Sequence, residues 1–277
     1  MTTTITIEPL DRLSRDLKAA SATLSHEEAR FLVDLYYTMQ DDRKRAHNQV
    51  RAMSETEPLE EPHEIVAWVA NGSQRLEDEI RKALDVYSSS QDLGAWAKSN
   101  FGIGPVIAAG LLAHIDISKA PTVGHIWRFA GLDPTLEWQK GQKRPYNAKL
   151  KTLCWKIGES FVKVSNNPND VYGKVYAERK LQETAKNDAG DFADQAAEKL
   201  KRFKIGKDTD AHKAYSQGKL PPAHIHSRAK RYATKLFLSH YHHVGYELLY
   251  GTEPPKPYIL NQPNHTHYLS PPNWPMS

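Results

Sequence analysis

The sequence predicts a mainly α-helical protein, and three observations carry that reading. Apolar residues in nearly every patterned segment recur at three- and four-residue spacing rather than alternating. Helix start and stop signals bracket those segments. Only the β-branched run TTTITI, within residues 1–10, suggests a short strand.

Each element follows from its residues. A helix is expected from Ser25 to Met53, where Leu24, Phe31, Leu32, Leu35 and Tyr36 repeat at helical spacing and Ser25 with Glu28 makes a capping box. The acidic stretch SETEPLEEPHE, 54–64, holds two prolines and reads as a linker. Helical spacing resumes over 65–87 through Ile65, Val66, Trp68, Leu76, Ile80, Leu84 and Tyr87. A short helix is expected at 92–99 and an apolar one at 105–114. The segment 121–134 is helical until Asp133-Pro134, because a residue before proline is pushed out of the helical region. Leu150, Leu153, Cys154, Ile157, Phe161 and Val162 define the next helix. A charged helix over 171–203, interrupted near Gly190, and a final amphipathic helix over 227–251 complete the pattern. The tail, 252–277, has seven prolines and is expected to be extended.

Composition narrows the function classes. The 277 residues include 39% hydrophobic residues and six tryptophans, enough for a real core, so global disorder is not expected. The single cysteine, Cys154, excludes an intrachain disulfide and a cysteine zinc cluster and suits a cytoplasmic setting. The N-terminus lacks a signal-peptide pattern, and no apolar run is long enough for a membrane span. The net charge of +4 hints at an anionic partner.

The most distinctive stretch is FGIGPVIAAGLLAHIDI, 101–117. A helix N-terminus presents unpaired N–H groups and a positive dipole end, which suit a phosphate. Gly102 and Gly104 would let the turn adopt unusual angles and let a phosphate approach, and Pro105 fits the first helical turn. Residues 92–99 and 105–114 would then form a helix–hairpin–helix, with Ala108, Ala109 and Gly110 letting its two helices pack closely. A tight turn that only supports the core is the competing reading.

The longer run GIGPVIAAGLLAHIDISKAPTVGHIWRFAGLDP resembles the C-terminal transposase domain of the DEDD transposases of bacterial insertion sequences, the recombinases guided by a bridge RNA. The resemblance rests on Gly102–Pro105, Asp116–Ser118 and Ala130–Pro134, and covers roughly residues 96–165. It implies a helix–hairpin–helix DNA binder of mobile-element or phage type. It does not extend to the family's chemistry. The loop after Ala130–Pro134 has no serine, only the hydroxyl of Thr135, and residues 1–90 show no strand bearing a buried aspartate. No catalytic residue, metal ligand or cofactor is therefore expected.

Loop 138–151 has five basic residues, no acidic one, and interleaved Trp138 and Tyr146. Gly102, Ile103, Gly104, Lys140, Lys143, Arg144, Lys149 and Lys151 are the candidate nucleic-acid-binding residues, with DNA the expected ligand and RNA an alternative. A second basic region, 199–235, has eleven Lys/Arg against two Asp. There Arg228, Lys230, Arg231 and Lys235 fall on one broad helical face, with Tyr232, Leu236, Leu238 and Tyr241 toward the core. The pairs His224/His226, His240/His242 and His265/His267 invite a metal reading, but side chains two apart on a helix diverge, so packing, hydrogen bonding or phosphate contact is expected of them. The tail is expected to wrap a partner subunit or its own helices, and a homo-oligomer through helices or tail is expected. The organisation read from sequence is a helical region 1–91, a transposase-like domain 92–165, a basic helical region 166–251 and the tail. A divergent active recombinase and a structural assembly protein are the alternatives to a non-catalytic binder.

Overall fold

The structure, a computed structural model, describes residues 12–56, 64–256 and 269–276. The expected strand within 1–10, most of the proline linker, and His265 and His267 lie outside the described residues. Among those described, regular structure is helical and no strand occurs. The α-helices are α1 (Arg15–Ala20), α2 (His26–Thr56), α3 (Glu64–Ser89), α4 (Asp92–Ser99), α5 (Pro105–His114), α6 (Val123–Phe129), α7 (Ala148–Val164), α8 (Tyr172–Asp188), α9 (Ala193–Arg202), α10 (Asp210–Ser216) and α11 (Pro222–Tyr250). No helix among the described residues is long and apolar enough to cross a membrane.

The chain divides into two compact units. One runs to Lys98 and takes in Gly104–Asp116; the other comprises Ser99–Ile103 and everything from Ile117 onward. The segment 92–165 is thus split, because α5 packs mainly on α2 and α3 whereas α6 and α7 pack on α11.

In the first unit α2 starts at the expected capping box. Ser25 N donates to Glu28 Oε2 at 2.8 Å, and Glu28 N donates to Ser25 Oγ at 3.2 Å. Helices α2 and α3 pack as an antiparallel pair. The buried seam of α3 (Ala70, Glu77, Ile80, Leu84 and Tyr87) recurs at coiled-coil spacing. Its one acid is satisfied across the seam: Arg43 Nε donates to Glu77 Oε2 at 2.5 Å, and Gln40 Nε2 to Oε1 at 3.1 Å. Burial opposes the charge of Glu77, but the hydrogen bonds from Arg43 and Gln40 outweigh it and hold its pKa low. Val106, Ala109, Leu112 and Ala113 of α5 join Ala29, Val33, Leu84 and Tyr87 in one core. So Ala109 and Ala113 of α5 serve the core shared with α2 and α3, while α4 approaches α5 where Gly94 faces Leu112, a Cβ there falling 2.7 Å from Leu112 Cδ1. The close approach of α4 depends on Gly94, where a Cβ would lie 2.2 Å from the Ser88 carbonyl oxygen.

In the second unit α11 is the central helix, with α6, α7 and α8 packed against it. Pro222 sits at its first turn, so it begins earlier than residue 227, and Gly251 (φ 69°) ends it. Ile225, Ala229, Ala233, Phe237, Tyr241 and Val244 form its buried stripe. Phe161 stacks on Tyr172 at 4.9 Å, and Phe237 meets Tyr172 edge-on at 5.2 Å. The break between α8 and α9 falls at Gly190 (φ 90°), as the sequence suggests. The described tail lies on its own unit: Trp274 Nε1 donates to Glu247, and Asn273 Nδ2 donates to the Ser99 carbonyl at 3.0 Å.

The turn into α8 is the tightest point of this unit. Asp170 is fully buried beneath the helix start, and a Cβ on Gly173 would fall 2.0 Å from Asp170 Oδ2 and 2.6 Å from the Phe161 carbonyl oxygen. Because the obstacle includes backbone, Gly173→Ala is expected to destabilise the protein by about 2–3 kcal/mol in urea unfolding. Unchanged stability would show that the turn can relax.

Candidate nucleic-acid interface

The loop between α6 and α7 is anchored at both ends. Helix α6 stops at Phe129, before Asp133-Pro134, because Gly131 takes φ 65° and Leu132 N bonds back to the Trp127 carbonyl at 2.8 Å. This is a Schellman ending, which releases the chain earlier than proline would. Asp133 then accepts from Thr135 N at 2.9 Å and Thr135 Oγ1 at 2.7 Å. Those two bonds, then Arg128 and Lys235, hold its carboxyl below the usual range. Thr135, the loop's hydroxyl, is therefore engaged as a turn former.

The tip is a closed turn. Trp138 Nε1 donates to the Gln142 carbonyl at 2.8 Å, Gly141 takes φ 92°, and the Arg144 guanidinium lies 5.5 Å from the Trp138 ring centre. On the return, Tyr146 packs on Gly131, where a Cβ would come within 2.8 Å of its ring. The Lys151 ammonium sits over the same ring at 4.1 Å. Asn147 N donates to the Phe129 carbonyl at 2.8 Å, while its side chain caps α7 by accepting from Lys149 N and Leu150 N, both at 3.0 Å.

Lys140, Lys143, Arg144, Lys149 and Lys151 are all exposed. Lys140 and Lys143 form no ion pair among the described residues. Glu137, just before the loop's basic run, is engaged by Arg202 Nη2 at 3.4 Å. Lys149 and Lys151 occupy the first turn of α7, which has no acid. Cations there oppose the helix dipole, so this placement adds positive potential rather than stability.

The glycine turn is built differently. Gly102 has φ 88°, and its carbonyl accepts from Ser160 Oγ at 2.6 Å. Ile103 is 4% exposed, and its N–H already donates to the Asn100 carbonyl at 3.1 Å. Gly104 has φ −88° and open space where a Cβ would stand. The first recorded backbone bond of α5 is Ala108 N to the Gly104 carbonyl, so the N–H groups of Val106 and Ile107 have no backbone partner. Gly102 contacts the last turn of α7, while loop 138–151 enters its first turn. From Asn147 to Ser160 the helix rises roughly 20 Å, so turn and loop are two contacts rather than one patch. Between them α7 presents Thr152, Lys156 and Trp155, the last 60% exposed. Sequence reading missed Trp155, although its i+4 spacing from Lys151 on the polar side of α7 was the available signal.

Three of the four cations read onto one broad face of the last helix are drawn to different partners. Lys230 turns to Glu159 of α7 and the Trp155 ring, and Arg228 turns to Glu183 of α8. Lys235 lies 4.1 Å from the Trp127 ring centre. Tyr232 does not face the core: it is exposed and carries Arg179 over its ring at 4.6 Å.

His224, His226, His240 and His242 make hydrogen bonds, and no group of three or more His, Cys, Asp or Glu among the described residues is placed to hold a metal. His240 is nearly fully buried. Its Nε2 faces the Leu269 carbonyl at 2.8 Å and must carry the proton, so Nδ1 accepts from Tyr172 Oη at 2.8 Å. His242 Nε2 donates to the Ala120 carbonyl at 2.7 Å, and Tyr176 Oη meets His226 Nδ1 at 2.7 Å. Burial pushes the Cys154 thiol up to about 12, which leaves no thiolate at neutral pH.

No protein-family model matches the chain, and neither a curated protein nor a solved structure matches it.

Two measurements check these geometries. Gly102→Ala is expected to cost about 1–2 kcal/mol, since φ 88° strains an alanine, while Gly104→Ala is expected to leave stability within about 0.5 kcal/mol. Equal losses at both positions would contradict this turn. Burial lowers the His240 pKa from 6.5 to about 4, so the unfolded chain takes up that proton first. Stability is therefore full above pH 6.5 and is lost as the pH falls toward 4, by about 3 kcal/mol at 1.36 kcal/mol per unit. Urea unfolding at pH 7 and pH 4.5 should show the loss, and His240→Gln should flatten it.

Proposed function

We propose that this chain is a non-catalytic nucleic-acid-binding protein that holds phosphate backbone, with DNA the expected ligand. One observation carries the reading. An anchored, exposed loop gathers Lys140, Lys143, Arg144, Lys149 and Lys151 at the positive end of α7, with Lys140 and Lys143 unpaired among the described residues. Folding does not need such a concentration of like charge, whereas a polyanion does. Trp138 and Trp155 add aromatic surface beside those cations. The glycine turn, whose Gly102 carbonyl accepts from Ser160 near the far end of α7, is a candidate second contact. The resemblance of residues 96–165 to bridge-RNA-guided transposases agrees with a mobile-element or phage origin. Self-association through helices or tail belongs to the same proposal.

The use of the Ile103 N–H within the turn favours a second reading for the turn alone, as a packing element. The two readings separate in one experiment. Affinity for a duplex, a four-way junction and single-stranded RNA would be measured across salt for wild type, Gly104→Glu and the triple variant Lys140→Ala/Lys143→Ala/Arg144→Ala. The triple variant should bind more weakly and lose about 2–3 units of slope in log K against log salt on the duplex. Gly104→Glu should weaken binding only if the turn touches phosphate. Binding by the triple variant at wild-type strength would sink the proposal.

A further inference from the structure

Helix α11 carries His224, Arg228, Arg231 and Lys235, spaced four, three and four residues apart. That spacing places them along one side of the helix over roughly 16 Å. Lys230, which looked like part of the same set in sequence, has left it for Glu159.

The acids near this line are already committed. Glu183 of α8, whose side chain is 2% exposed, takes Arg228 Nε on one oxygen and Arg179 Nη2 on the other, each at 2.5 Å. Asp133 reaches Lys235 electrostatically, but it also holds Thr135 and an ion pair with Arg128 at 3.5 Å. Arg231 has no ion pair and no hydrogen bond among the described residues. Burial first, and then the charges of Lys199, Arg231 and Arg228, disfavour protonation of His224.

Helix α9 closes one side of this face. Arg228 Nη1 donates to Gln195 Oε1 at 3.2 Å, and its guanidinium lies over the Phe192 ring at 4.5 Å. Lys199 stands one turn beyond Gln195 on α9. Arg231 is exposed, so the face is open to solute. Even so, partial burial, and then the charge of Arg228, lower its pKa against the opposing pull of Glu183, whose two oxygens are already held by Arg228 and Arg179. The fold thus keeps an arginine among other cations with no carboxylate of its own, an arrangement that costs free energy unless an anion joins it.

We propose that Arg231, with Lys199, Arg228 and His224, forms a phosphate-binding site on the α9–α11 face. Guanidinium suits this role because its planar donors match phosphate oxygens. The line of cations fits consecutive phosphates, supplied either by a free polyphosphate or by a nucleic-acid strand. The site uses no residue of loop 138–151 or of the glycine turn.

The test uses the full-length protein with sodium tripolyphosphate, inorganic phosphate and a short oligothymidine at constant ionic strength. Affinity is read by calorimetry and fold stability by thermal unfolding. Wild type should bind tripolyphosphate more tightly than inorganic phosphate, and Arg231→Gln should bind it about tenfold more weakly. Without ligand, Arg231→Gln should melt at the wild-type temperature or higher, because a repelled cation has been removed. Lys199→Gln should reproduce a smaller loss of affinity. The loop triple variant should keep its tripolyphosphate affinity, which separates this site from the proposed function. Competition between oligothymidine and tripolyphosphate for wild type would identify a strand as the source of phosphate, and binding of tripolyphosphate alone would identify free polyphosphate. The proposal is overturned by equal tripolyphosphate affinity in wild type and Arg231→Gln, by no binding of either probe, by a lower ligand-free melting temperature in Arg231→Gln, or by loss of tripolyphosphate binding in the loop variant.

Discussion

The second unit turns on one carboxylate. Glu183 is shut away from water between Arg179 of its own helix and Arg228 of α11. A buried carboxylate without such partners would be strongly destabilising, so α8 and α11 are fixed in the register that supplies both arginines. Burial opposes the charge of Glu183, and the hydrogen bond from Arg228 and the positive charges around it outweigh that opposition. The neighbouring aromatic packing of Phe161, Tyr172 and Phe237 depends on the same register. So does the state of Arg231: with Glu183 saturated, the next cation along α11 is left over. The first unit repeats the device with Glu77, Arg43 and Gln40 in an otherwise apolar seam. There the polar layer also opposes sliding of α2 along α3, since any slip would bury the acid without its donors.

The loop between α6 and α7 shows the opposite balance. Its ends are secured by ordinary means: a Schellman glycine, an aspartate turn, a stacked tyrosine and an asparagine cap. Arg144 and Lys151 add cation–π contacts to that frame, while Lys140 and Lys143 form no ion pair among the described residues. Two of the loop's cations, Lys149 and Lys151, sit against the dipole of α7. A rigid frame that holds Lys140 and Lys143 exposed and without an ion pair among the described residues is the physical basis for reading the loop as a contact surface.

The histidines illustrate how proximity in sequence misleads. Three close pairs invite a metal reading that helical spacing already disfavours, and His240 and His242 point to different carbonyls, those of Leu269 and Ala120. Each neutral ring is fixed in one tautomer by the group it meets. Burial opposes protonation of both rings, which links the fold to pH.

Local chemistry determined most of the secondary structure. The capping box at Ser25 and Glu28, the bounds of α4 and α5, the break at Gly190 and the positive φ of Gly102 follow from residues a few positions apart. The sequence also determined the candidate loop, because five cations without an acid are visible in any linear reading. Only the tertiary structure decided that α5 packs on α2 and α3 and that the glycine turn and the basic loop stand at opposite ends of α7. It alone decided that Lys230 is spent on Glu159 while Arg231 keeps no ion pair among the described residues and feels Glu183 only electrostatically. The reason is physical. Caps and turns are set by neighbours along the chain, whereas ion pairing is set by which helix faces meet, and residues as distant as Glu159 and Lys230 meet only once the whole unit has packed.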